Sequence, residues 1–270
     1  MSDLLTFNND IMDIIVKKLD PGSHLIVSLT CKEMYKILKE FNENKKLSGS
    51  LKYLTSTLSL LKYGHKNGCH WSTKLFDLAV VHGNVEYLKY LHENGCPWSA
   101  DTCIYAASRG HLECLKYLHE NGCPWHVSTC EWTAGNGHLE CLKYLHENGC
   151  PWPENDKACS AAAYDGHIEC LKYCHENGAH ENGINWSELT IGYASARGDL
   201  DTLKYLHENG CPWSDKTCDW AAKNGSLECL KYLHENGCPW SELTCANAKN
   251  GHTNGHSKCL KYLQDNGCPE

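Results

Sequence analysis

The tripeptide Leu-Lys-Tyr recurs along the chain, its lysine falling at Lys62, Lys89, Lys116, Lys143, Lys172, Lys204, Lys231 and Lys261. Successive spacings are 27, 27, 27, 29, 32, 27 and 30 residues. A period of this size means that one supersecondary unit is copied along the chain, and that each copy buries its apolar face only against its neighbours. The unit is written most cleanly from Trp98 to Pro124, WSADTCIYAASRGHLECLKYLHENGCP. Complete copies begin at Trp71, Trp98, Trp125, Trp152, Trp186, Trp213 and Trp240, and a half copy, LLKYGHKNGC, runs from Leu60 to Cys69. The expected division is therefore a separate segment over 1–45, a linker and partial repeat over 46–69, and seven repeats over 70–270.

Each unit reads as two helices. In the second, Leu112, Leu115 and Leu118 recur every three residues with Cys114 four before Leu118, which makes one apolar stripe. Glu113, Lys116 and Glu120 fall on the opposite side. Gly122 follows the last turn, where a glycine supplies the left-handed conformation that ends a helix, and Pro124 prevents continuation. The first helix starts after Ser99, a good N-cap, and ends near Gly110. Ala106 and Ala107 within it are small enough to let helices approach closely.

A period of 27 also suits leucine-rich repeats, but those need an L-x-L strand, and LECLKYL spaces its leucines by three. The pattern T-C-x-x-A-A-x-x-G-H-L-E-C-L-K-Y-L-H-E-N-G resembles the ankyrin repeat, over roughly residues 60 to 270. One departure stands out: only seven residues separate Gly95 from Thr102, too few for the β-hairpin finger of an ankyrin unit. The resemblance thus implies an all-α solenoid of stacked, degenerate ankyrin-like helix pairs. The short unit looks like repeats abundant in large DNA viruses of amoebae and in some protists. The extra residues of the two longer units are expected in loops, around Ala179 to Asn185 and around Gly251 to Gly255.

A stack of this kind leaves a long surface for binding a protein target. Positions that vary while the frame stays constant are the candidates for recognition. The position before the alanine pair holds Tyr105, Trp132, Tyr193 and Trp220, with Leu78, Ala161 and Asn247 in the other copies. The resemblance to ankyrin repeats implies that this position faces the groove. The two positions before the helix-ending glycine also vary, and supply Arg109, Asn136, Arg197 and Asn224. Tyr, Trp and Arg are the residue types that dominate binding hot spots. The competing reading is that the aromatics pack between neighbouring helices and meet no ligand.

Residues 1–45 contain none of the repeat. Phe7-Asn8-Asn9-Asp10-Ile11-Met12-Asp13-Ile14-Ile15-Val16-Lys17-Lys18-Leu19 reads as a short amphipathic helix with its entry, broken by Asp20-Pro21-Gly22 and followed by an apolar segment leading to Thr30-Cys31-Lys32 and Tyr35. This resembles an F-box, with Asn8 in place of its proline and Tyr35 in place of its tryptophan. The resemblance implies a small helical domain that docks a Skp-family adaptor of cullin-based ubiquitin ligases through Ile11, Val16, Leu19 and Tyr35, with Asn8 and Lys32 at the rim. The alternative is a plain helical cap on the first repeat, which would leave an interaction scaffold with no ubiquitin role.

Composition restricts the rest. A net charge of −8 argues against a nucleic-acid partner, and no run approaches the apolar length that spans a membrane. The start lacks a secretory pattern, so a reducing cytoplasmic compartment is expected. In that setting the 19 cysteines read as reduced, buried small hydrophobes rather than disulfides. His92, His119, His146, His175, His207 and His234 form a column closing each second helix, where a cation complements the negative helix end. Paired zinc knuckles are absent from the sequence, so no metal or other cofactor is expected; elemental analysis would decide between this and a metal-loaded Cys/His ladder. No G-x-S-x-G, phosphate-binding loop, H-E-x-x-H or dinucleotide fingerprint occurs, so the chain is read as a binding protein and not an enzyme.

Overall fold

The computed structural model describes residues 73–153, 156–179 and 186–268, with Leu58, Lys62 and His65. The F-box-like segment, with Asn8, Ile11, Val16, Leu19, Lys32 and Tyr35, lies outside the described residues. Among the described residues all regular structure is helical. The helices fall into pairs: α1 (Thr73–Val81) and α2 (Val85–Glu93); α3 (Ala100–Ser108) and α4 (Leu112–Glu120); α5 (Thr129–Gly135) and α6 (Leu139–Glu147); α7 (Lys157–Asp165) and α8 (Ile168–Cys174). Then follow α9 (Glu188–Arg197) and α10 (Leu200–Glu208); α11 (Asp215–Asn224) and α12 (Leu227–Glu235); α13 (Glu242–Lys249) and α14 (Asn254–Asp265). The described residues divide into two compact units, one running to Ala106 and including Glu113–Pro124, the other comprising Ala107–Leu112 and everything from Trp125.

The expected stripe is the core. In the first unit Leu88, Leu91, Leu115 and Leu118 are fully buried; in the second Leu142, Leu145, Leu171, Leu203, Leu206, Leu230 and Leu233 are. Within the second unit the first helices of successive repeats pack in order, α5 on α7, α7 on α9, α9 on α11 and α11 on α13. Their buried faces are small: Ala134, Ala162, Ala163, Ala194, Ala221 and Ala222 have no exposed surface, which lets the backbones come close. The second unit by itself is thus an ankyrin-type solenoid of helix pairs, built without the hairpin finger that the short junction left no room for.

Helix termini follow the chemistry written in the repeat. Gly122 takes φ +84°, and the amide of Cys123 after it bonds back to the Leu118 carbonyl, closing the turn before Pro124. At the other end Ser214 and Ser241 form capping boxes whose second member, three residues on, is a threonine, Thr217 or Thr244.

The last of the two longer units departs from expectation. In the fourth repeat the helix does not stop: His175–Ala179 continue α8 as a single π-helical turn, with Gly178 packed against the Trp152 ring. This copy reads N-G-A where others read N-G-C-P, so no proline enforces an ending. The rest of the expected loop, 180–185, lies outside the described residues. In the last repeat the extra residues are not all in a loop. Gly255 occupies the place of the helix-ending glycine of other copies, yet α14 begins at Asn254, one turn early, capped by Thr253. A Cβ at Gly255 would lie 2.5 Å from the Gly225 carbonyl oxygen, and one at Gly251 would lie 1.8 Å from the His256 ring, so glycine at each position leaves room for these close approaches.

Candidate functional site

The first helices carry the variable positions, and buried bonds to carboxylates fix the starts of three of them, α3, α9 and α13. Thr102, Thr190 and Thr244, the threonines of the repeated T-C or T-I dipeptide, have no exposed surface. Thr102 donates its hydroxyl proton to Asp77 (2.9 Å), Thr190 to Asp156 (2.5 Å) and Thr244 to Asp219 (2.5 Å). Asp156 also accepts from the Ser187 amide and Asp219 from the Ser241 hydroxyl. Each carboxylate therefore holds the start of the following repeat. Burial raises the Asp77 carboxyl above its ordinary range, against the bond from Thr102.

On this scaffold the sequence-selected aromatics separate into two settings. Trp132 on α5 is 56% exposed, and Tyr105 on α3, in the first unit, 38%. Tyr193 and Trp220 are half-buried and stack on each other, 6.2 Å apart with nearly parallel planes. Trp220 lies flat over Gly192, where an added Cβ would fall 1.7 Å from the ring. Trp220 thus packs between neighbouring first helices.

Two of the polar candidates act on their own helices. Asn136 and Asn224 are exposed, and their side-chain amides donate to the Trp132 and Trp220 carbonyls one turn back. Arg197 donates to the Tyr164 carbonyl at 3.2 Å, its guanidinium filling the space above Gly166. In other junctions a residue after the glycine fills that space: the His138 ring lies over Gly110, and Ser226 donates to the Ala196 carbonyl. The fifth repeat has Asp199 there, spent on capping Thr202, so Arg197 takes over. Arg109 is exposed.

Trp132 and Tyr193, with Asn136, line a cavity of about 790 Å³ in the second unit, over α5, α7 and the start of α9. Its floor includes Gly135, Ser160 and Ala161, and its walls add Tyr164 and Leu189. Ala161 stands where four other repeats carry Tyr or Trp, so the missing ring leaves the space. Tyr164 is 57% exposed, Leu189 50%, and the Tyr164 ring meets Tyr193 edge-on at 5.0 Å. Exposed large apolar side chains are thus concentrated here, beside Glu131, Asp156, Asp165 and Lys157. Leu189 escaped the sequence reading although it breaks the polar pattern between Ser187 and Thr190. Tyr105, Arg109, Arg197, Trp220 and Asn224 are not among the residues lining the cavity.

The histidine column stands in the last turn of the second helices and also joins repeats. In His92, His146, His175, His207 and His234 the Nδ1 atom pairs with a tyrosine hydroxyl of the next repeat, Tyr117, Tyr173, Tyr205, Tyr232 and Tyr262, at 2.8–2.9 Å. The same rings lie against Trp98, Trp152, Trp186, Trp213 and Trp240, with His207 and Trp213 only 3.9 Å apart. Burial raises the pKa of each of these five phenols, that of Tyr205 to about 12. The Tyr of Leu-Lys-Tyr is therefore a link between repeats. Replacing Tyr232 with Phe removes the partner of His207 and should cost about 1 kcal/mol, lowering Tm by roughly 2–4 °C. Thermal unfolding of wild type and variant measures it, and an unchanged Tm would show that the pair contributes nothing.

The cysteines of the described residues are all buried and unbridged. Within single repeats the thiols pair: Cys103 with Cys123, Cys130 with Cys150, Cys159 with Cys174, Cys218 with Cys238 and Cys245 with Cys268. Among the described residues no group of three or more Cys, His, Asp or Glu side chains converges as a metal site, and no helix is long and apolar enough to cross a membrane.

Comparison with known proteins agrees with this architecture. A family model for ankyrin repeats matches residues 75–119, 103–146 and 158–207, and one for the F-box domain matches residues 4–46. No curated protein matches the chain. The crystal structure of the human ASB11 ankyrin repeat domain aligns with a TM-score of 0.50 at 20% identity, covering 66% of this chain and 98% of that one. The likeness to that structure is one of fold. Both matched families are protein-interaction modules, so the chain carries the parts of an interaction protein.

Proposed function

We propose that the chain is a substrate-recruiting subunit of a cullin-based ubiquitin ligase, working in a reducing cytoplasmic compartment. Residues 1–45 dock a Skp-family adaptor, with Ile11, Val16, Leu19 and Tyr35 in the contact and Asn8 and Lys32 at its rim. The seven repeats over 70–270 hold a protein target. The observation that carries this reading is the F-box match at 4–46 in the same chain as ankyrin repeats. Joining the two modules places a bound target beside the ligase machinery, which is all that a recruiting subunit has to do. It needs no catalytic group of its own.

A second reading is favoured by two departures from the F-box pattern, Asn8 for proline and Tyr35 for tryptophan. In it residues 1–45 only cap the repeats, and the chain is an interaction scaffold. The test mixes the purified full chain with a Skp-family adaptor and follows the complex by size-exclusion chromatography and calorimetry. A one-to-one complex is expected. Failure to bind any adaptor of the family removes the ligase reading and leaves the scaffold.

A further inference from the structure

The cavity between α5 and α9 has the chemistry to name its occupant's class. Its apolar walls are exposed aromatic faces, those of Trp132 and Tyr164, with the Leu189 side chain exposed beside them. Its charge is acidic: Glu131, Asp156 and Asp165 line it against a single cation, Lys157. Asp156 is committed to the Ser187 amide and the Thr190 hydroxyl, so Glu131 and Asp165 carry the charge that meets a ligand. The Asp165 carboxylate lies beside Gly135, where the Ala161 methyl also packs.

Resting on the target-binding role of the repeats, we propose that this cavity takes an arginine side chain presented by an extended segment of the protein target. A guanidinium stacks flat on an aromatic face while donating in the same plane to a carboxylate. Exposed rings next to Asp165 and Glu131 offer both partners, and the neighbouring Leu189 receives an apolar residue flanking the arginine. A lysine keeps the charge but loses the stacking and the two-pronged bond. An acidic segment is repelled by a wall of its own sign.

The test uses the full chain and rhodamine-labelled hexapeptides centred on Leu-X-Leu, where X is arginine, lysine, citrulline or glutamate, followed by fluorescence anisotropy. Citrulline keeps the shape of arginine without its charge. The arginine peptide should bind about tenfold or more tightly than the citrulline peptide, with lysine between them and glutamate unbound. Trp132→Ala and Tyr164→Ala should each weaken the arginine peptide by about tenfold. Both side chains are largely exposed, so circular dichroism should not change. Asp165→Asn should erase much of the preference for arginine over citrulline. Equal binding of arginine and citrulline, or no arginine binding at roughly millimolar concentrations, overturns the proposal. Adaptor binding is measured on the same preparations. If adaptor binds while the arginine peptide does not, the occupant is wrong and the ligase reading stands; the reverse pattern spares the occupant and removes the ligase.

Discussion

Replacing Ile11 with Asp in the full chain is expected to weaken binding to a Skp-family adaptor by a hundredfold or more while the helical circular dichroism spectrum stays as it was. The size of the effect comes from placing a carboxylate in an apolar contact, which costs at least a few kcal/mol, and about 1.4 kcal/mol is a factor of ten in affinity. A segment of about 40 residues has too much surface for its volume to bury all its apolar side chains, so it is expected to lean on a partner or on the first repeat. The repeats stay folded because solenoid stability is a sum of local terms. Equal binding by wild type and variant would place the docking surface elsewhere and discard the assignment of Ile11, Val16, Leu19 and Tyr35 to it. Loss of helical signal on substitution would instead favour the cap, since a capping segment supports the repeat beneath it.

Alkaline pH should unfold the repeats steeply, beginning near the ordinary ionisation range of a thiol. Burial pushes the thiols of Cys96, Cys211 and Cys229 up to about 12, and those of Cys170 and Cys259 to about 11. In the unfolded chain the same groups ionise near about 8.5. Above that pH the native state keeps protons that the unfolded state has released. Stability from these thiols is thus fully present below about pH 8.5 and falls as pH rises toward 11–12. Each contributes a slope of about 1.4 kcal/mol per pH unit, so five acting together exhaust an ordinary domain stability of about 5–15 kcal/mol within about two or three units. Urea midpoints measured at intervals from neutrality upward give the slope directly. The double variant Cys96→Ala with Cys211→Ala should show a shallower fall, two protons fewer. A midpoint that holds steady through that window would mean that the thiols ionise in place and that their burial is less complete than in this fold.

The repeat itself was legible in the sequence because its signals are local. Leu115, Gly122 and Pro124 specify a stripe, a left-handed stop and a break within one helix and its exit, and each behaves as the pattern says. The short junction between Gly95 and Thr102 likewise ruled out a hairpin finger by chain length alone. The last repeat was misread for the opposite reason. Gly255 lies in a helical turn packed closely on Gly225, a neighbour remote in sequence. The tyrosine partner of each column histidine was not legible for the same reason: it lies a full repeat away.

What the sequence determined by itself was the period, the helix pairs and the burial of the cysteines, because periodicity, capping and hydrophobicity act over a few residues. It also marked the variable first-helix positions as the place to look for recognition. Only the tertiary structure decided which of those positions share a site. Trp132 and Tyr193 come together because Ala161 leaves the space between them open, whereas Trp220 is held flat on Gly192 and lines no part of that space. The same residue type at the same register therefore packs in one repeat and faces the opening in another. The deciding quantity is the volume of the side chain opposite, contributed by a different repeat and expressed only once the helices are stacked.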